Sequence, residues 1–118
     1  VSQLRIRTRT TPSGPVIELA GELDHDSAPE IRDFLPNLPI KYGQQLVVDL
    51  GGLMLCDSSG ITVLIAARNI ALAAHSTVVL AAVPDMVSRT LGIVGLDQVF
   101  PTHPTAQAAE AAWTAPTG

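Results

Sequence analysis

Two stretches decide the fold: Leu46-Val47-Val48-Asp49-Leu50 and Asp57-Ser58-Ser59-Gly60-Ile61. The first is a short apolar run broken only by Asp49, the kind of strand that lies buried inside a sheet. The second opens on Asp57, whose carboxylate can accept from the free amides of a first helical turn. Ser58 then falls at about the first helical position, beside N–H groups without helical partners and at the positive end of the macrodipole. The helix is expected to run to about Ala74, with Gly51 to Cys56 as the lead from strand to helix.

Upstream, Leu4 and Ile6 alternate with Gln3, Arg5 and Arg7. Thr11-Pro12-Ser13-Gly14 is a turn and Val16-Ile17-Glu18-Leu19 a second strand, so residues 3–19 read as a hairpin. Gly21 to Asp26 reads as a loop. Ser27-Ala28-Pro29-Glu30 has the capping-box pattern, in which Ser27 caps an amide of the first turn and Glu30 reaches back. A helix is expected from Ala28, with Ile31, Phe34 and Leu35 on one face and an early end at Pro36 and Pro39. Downstream, Val78 to Val83 is a buried strand, and Pro84 opens a short helix that Gly92 and Gly95 end. Val99-Phe100 is expected as a last edge strand, and Pro104 to Trp113 as a terminal helix. Strands alternating with helices imply an α/β fold: one domain over residues 1–118, with a small mixed β-sheet and helices packed mainly on one face.

Composition narrows the function. Hydrophobic residues make up 47% of the 118 residues and charged residues 15%, enough apolar material for a real core. One Trp, one Tyr and two Phe give little surface for stacking bases. A net charge of −4 without a basic run lacks the electrostatic footprint of a DNA binder, so no nucleic acid is expected. Cys56 is alone, which excludes an internal disulfide and a Cys-based zinc site. Arg68 and Asn69 interrupt the longest apolar stretch, so no membrane span is expected. VSQLRIRTRT carries no apolar segment behind its arginines, and a cytoplasmic location is expected.

At about 100° per residue, Ser58, Thr62, Ile65 and Asn69 share one stripe of the second helix, with Arg68 at its border. Val63, Ala67, Ile70 and Ala74 fall opposite and make the expected core face. Capping alone accounts for Asp57, Ser58 and Ser59. An apolar Ile65 on a stripe that begins with a serine adds a partner-binding surface.

In these segments the chain resembles the anti-sigma factor antagonists, small bacterial proteins of the STAS-domain family. Gly21-Glu22-Leu23-Asp24 with His25 is similar to the family's first loop. Val47-Val48-Asp49-Leu50 is similar to its central strand, and Asp57-Ser58-Ser59-Gly60-Ile61 to its phosphorylation motif. Cys56 stands where methionine is common in the family, and Asp26 makes the first loop more acidic than the pattern.

The resemblance implies a phosphoprotein that switches partners in transcription regulation. The unphosphorylated form would bind an anti-sigma factor that is also a serine kinase, and so free a sigma factor. Phosphorylation of Ser58 would release it, and a serine phosphatase would reset it. Asp24, Asp57, Ser59, Thr62, Ile65 and Asn69 are then the expected partner-binding residues. No cofactor and no enzymatic activity are implied, and a weak homodimer is left open. The alternative within the same fold is a scaffold subunit of a signalling or transport complex that is never phosphorylated.

Other chemistry is poorly supported. Asp24-His25-Asp26 is one short run without a second cluster to complete a metal site. The G-x-S-x-G pattern of a hydrolase nucleophile is absent, as is a glycine-rich phosphate loop with its lysine. His75 and His103 are isolated and expected at the surface.

Overall fold

In the computed structural model, which describes residues 3–116, the hairpin closes as the alternation predicts. Strand β1 (Leu4–Thr11) lies antiparallel to β2 (Gly14–Leu23), with Arg7 opposite Glu18 and Thr11 opposite Gly14. Gly14 has φ +135°, and a Cβ there would run into the carbonyl of Gln45, so only glycine fits the turn. The remaining strands are β3 (Gln45–Cys56), β4 (Thr77–Ala81) and β5 (Thr102–His103). They complete a mixed sheet of five strands in the order β1-β2-β3-β4-β5, with every pair after the first parallel.

Helices α1 (Ala28–Phe34), α2 (Ser58–Ala73) and α3 (Asp85–Ile93) cover one face. There Ile17, Leu19, Val48, Leu50 and Leu80 of the sheet meet Ile31, Leu64, Ala67, Ala71, Val87 and Leu91 of the helices. The other face carries a smaller cluster: Val16, Val47, Val79 and Ala81 packed under Ala106 and Ala109 of α4 (Ala106–Ala112). The expected architecture, α/β with helices mainly on one face, is the observed one. The short α4 is pinned by Gln45, whose Nε2 donates to the Ala109 carbonyl at 2.9 Å, and by a forked ion pair from Arg9 to Glu110.

Four local expectations differ from the structure. Strand β2 continues through Gly21 to Leu23, because these residues pair with Leu53 to Cys56 in an extended, bulged β3. Gly51 to Cys56 is therefore strand rather than lead-in. Ser27 makes no side-chain cap on α1. Its Oγ donates instead to the Glu22 carbonyl at 2.8 Å and accepts the Asp24 N–H at 2.9 Å, which ties the preceding loop together. Val99 and Phe100 are not a strand; Phe100 is buried in the core, and pairing with β4 begins only at Thr102. Finally, α3 runs through Gly92 to Ile93 before the chain turns at Gly95. The early end of α1 at Phe34, followed by a single 3₁₀ turn over Leu35–Asn37, follows from Pro36 as expected.

Candidate functional site

The end of β3 feeds directly into α2, and Asp57 is the hinge between them. Its backbone is extended (φ −93°, ψ −169°), and its N–H donates to the Leu23 carbonyl at 3.2 Å, which continues the sheet by one bond. Its Oδ1 accepts the Ser59 N–H at 2.8 Å and the Gly60 N–H at 3.4 Å. The carboxylate thus satisfies amides that the helix cannot, and it sits at the favourable end of the macrodipole. Asp57→Ala is expected to lower unfolding stability by about 0.5–2 kcal/mol. Urea denaturation measures this, and an unchanged midpoint would show that the cap is dispensable.

Gly60 closes the first turn against the sheet. A Cβ there would collide with the Cys56 sulfur and stand 3.0 Å from Leu23 Cγ. The motif's glycine is thus a close-packing requirement between helix and strand ends.

Ser58 is the first residue of α2 and is exposed. No hydrogen bond engages its hydroxyl among the described residues. Its carbonyl accepts from Thr62 Oγ1 at 3.1 Å. Thr62, Ile65 and Asn69 are exposed on the same stripe, with Ile65 at 38% and Arg68 half-buried at the border. The buried side of α2 is Ile61, Val63, Leu64, Ala67 and Ala71. The core face is therefore turned toward Ile61 and Leu64 relative to the expected Val63, Ala67, Ile70 and Ala74, of which Ile70 and Ala74 are only half-buried.

Asp24 reaches this site through the sheet, since Leu23 pairs with Cys56. It is half-buried, and its Oδ1 accepts the N–H groups of Asp26 and Ser27, each at 3.0 Å. The Ser27 backbone bond, helped by the Ser27 hydroxyl and the Asp26 amide, holds the Asp24 carboxyl below its ordinary value. Asp24 therefore shapes its own loop with one oxygen. His25 and Asp26 are exposed beside it.

Sequence reasoning did not foresee a groove of about 320 Å³ between α2 and the end of α3. Cys56, Ser58, Ile61 and Ile65 line one side, and Thr90, Val94 and Leu96 the other. Ser58 and Asp57 stand on its edge, and the lining is mostly apolar. The signal was faint: Ile93-Val94-Gly95-Leu96 is an apolar run just where a helix should become polar.

Cys56 borders both groove and core. Burial, and then the charge of Asp57, pushes its thiol up to about 11. At pH 8 its alkylation by iodoacetamide is expected to run about a hundredfold slower than that of an unperturbed thiol, because so little thiolate is present. The rate should rise with pH until the thiol ionises near 11. A rate equal to that of free cysteine at pH 8 would show that the burial does not persist in solution.

The comparison with known families agrees with this geometry. Residues 6–102 match the family model described as "Mlab, STAS domain". The chain belongs to the STAS domain family. No curated protein sequence matches it.

Solved STAS domains share the fold at low identity. An anti-sigma factor antagonist from Mycobacterium paratuberculosis is 23% identical, with a TM-score of 0.77 and 93% of each chain covered. The Bacillus cell fate determinant SpoIIAA in its phosphorylated form is 19% identical, with a TM-score of 0.70 over 91% of this chain and 98% of that one. A sulfate transporter family protein from Wolinella succinogenes is 14% identical, with a TM-score of 0.72 over 87% of this chain and 86% of that one. This STAS domain thus resembles antagonists and a transporter-family protein alike. Among its described residues no helix is long and apolar enough to cross a membrane, and no group of three His, Cys, Asp or Glu side chains is placed to hold a metal ion.

Proposed function

We propose that the protein is an anti-sigma factor antagonist, a partner-binding switch thrown by phosphorylation of Ser58. The observation that carries the reading is the position of Ser58: exposed, first in α2, with an uncommitted hydroxyl on the edge of an apolar groove. Helix N-termini accept anions, worth typically ~0.3–1 kcal/mol on a surface, so the fold tolerates the modification. The surface does not stay the same. A phosphoserine adds roughly −1.5 to −2 charge at pH 7, beside Asp57 and near the acidic loop of Asp24 and Asp26. In the unphosphorylated state Asp24, Asp57, Ser59, Thr62, Ile65 and Asn69 form the surface for an anti-sigma factor with serine kinase activity. In the phosphorylated state that partner leaves, and a serine phosphatase restores the hydroxyl. Ser58 is a substrate rather than a nucleophile, since no histidine lines the groove to act as its base.

Intact mass after incubation with ATP, magnesium and a lysate of the source organism tests the reading. A gain of one phosphate in wild type and none in Ser58→Ala is expected. No gain in wild type, with a known antagonist phosphorylated in the same lysate, would overturn it. The result would then favour the second reading, an unmodified STAS scaffold, which the likeness to a sulfate transporter family protein supports.

A further inference from the structure

Part of the exposed large hydrophobic surface of this protein lies at one concave place. Among the described residues the exposed large hydrophobic side chains are Tyr42, Met54, Leu55, Ile65, Leu72, Ile93 and Val94. Two of the seven, Ile65 and Val94, line the groove beside Ser58, and Ile93 is next to Val94 in the chain. Val94 is 54% exposed, and Ile93 next to it is 85% exposed. Apolar surface of this kind, gathered around a concave seat and rimmed by charge, marks an interaction site.

The charge at the rim has one sign near the serine. Asp57 lines the groove, and the loop bearing Asp24 and Asp26, which follows β2, is held beside it by the Asp57 N–H to Leu23 carbonyl bond. No cationic side chain lines the groove. Arg68 lies well along α2, away from the acidic end. Volume also narrows the occupant: about 320 Å³ is at the bottom of the range for ligand pockets, roughly 300–1,000 Å³, and suits inserted side chains.

We infer that the α2–α3 groove seats an apolar side chain of a protein partner that carries a basic residue next to it. The inference rests on the antagonist reading and adds the end of α3 to the docking surface. The apolar anchor fills the space between Ile65 and Val94, and the adjacent cation meets Asp57 and the acidic loop. A phosphoryl group on Ser58 would stand at the mouth of the groove, in the path of the anchor. The partner's cation is already engaged by carboxylates, so the added dianion blocks the anchor and finds no new counter-charge. Of this chain's own cations, Arg5, Arg7 and Arg9 on β1 have no exposed large apolar side chain beside them, while Lys41 adjoins the exposed Tyr42, so a second copy is the competing occupant that a concentration series separates.

Methyl NMR of the unphosphorylated protein tests this with two probes, a short amphipathic Leu/Lys peptide and its Leu/Glu counterpart. The Leu/Lys peptide is expected to shift the methyl signals of Ile65 and Val94 and to bind about tenfold more tightly than the Leu/Glu peptide. Val94→Asp should abolish those shifts, and Leu72→Asp should leave them intact; Ile65→Asp replaces Val94→Asp if thermal melting shows that variant to be misfolded. Equal affinity for both peptides, shifts centred elsewhere, or shifts with protein concentration alone would overturn the inference, the last by showing a second copy in the groove. The phosphorylation assay separates the two readings. A Ser58 phosphate without groove binding sinks only the groove, and groove binding without a Ser58 phosphate sinks only the antagonist.

Discussion

Phosphorylation of Ser58 is expected to weaken binding to the anti-sigma partner about a thousandfold, a loss of ~4 kcal/mol. The size follows from placing a dianion on the apolar groove beside the Asp57 carboxylate, which costs several kcal/mol when no further counter-charge meets it. Ser58→Ala removes a hydroxyl that bonds to nothing among the described residues, so it should bind like the unphosphorylated protein and never be released. Ser58→Asp adds one negative charge where the phosphate adds nearly two, and should weaken binding by roughly tenfold to a hundredfold. Fold stability should move differently. An acidic residue at the first position of α2 interacts favourably with the macrodipole, so Ser58→Asp should unfold within about 1 kcal/mol of wild type. Calorimetric titration against the purified partner, with urea denaturation of each variant, separates the two effects. Equal affinity of the Ala and Asp variants would remove charge as the switch. A large stability loss in Ser58→Asp would mean that the helix entrance, rather than the interface, rejects the charge.

The parts of this site that were legible in the sequence are the local ones. Asp57 caps and Ser58 starts the helix because capping involves only the next three residues, and no tertiary partner competes for that carboxylate. Ser27 has the same local credentials and fails. The Glu22 carbonyl at the end of β2 and the Asp24 amide in the loop offered its hydroxyl better partners than the first turn of α1 did. The end of β3 was hidden for a different reason. Gly51 and Gly52 have little strand propensity, and the strand persists there because the last residues of β2 pair with it through two register shifts. The edge strand was misplaced by three residues, since the apolar character of Phe100 reports burial in the core rather than membership of the sheet. The groove lay furthest from reach. Its two walls are about thirty residues apart in sequence, and only the packing of α3 beside α2 brings Ile65 and Val94 to one cavity.

Leu64 and Ile65 are neighbours in the chain and should have opposite fates on mutation. Leu64 is fully buried among the sheet and helix side chains of the main core. Leu64→Ala should therefore cost about 2–5 kcal/mol of unfolding stability, the sum of lost transfer energy and the cavity left behind. A domain of this size has only about 5–15 kcal/mol in total, so the variant should melt many degrees below wild type. Ile65 is 38% exposed on the edge of the groove, and a charged replacement can reach water. Ile65→Asp should change stability by less than about 1 kcal/mol, within the range of surface substitutions. It should still weaken partner binding by tenfold or more, because it puts an unpaired carboxylate where an apolar contact is made and adds to the charge of Asp57 nearby. The two variants thus test the rotation of α2 about its own axis. If Ile65→Asp unfolds the domain while Leu64→Ala is tolerated, the helix is turned by about one residue from the arrangement described, and Ser58, Thr62 and Asn69 no longer share the outward stripe. If both fold stably and Ile65→Asp binds as wild type does, the stripe faces solvent without a partner, and the interface must be sought on another part of the surface.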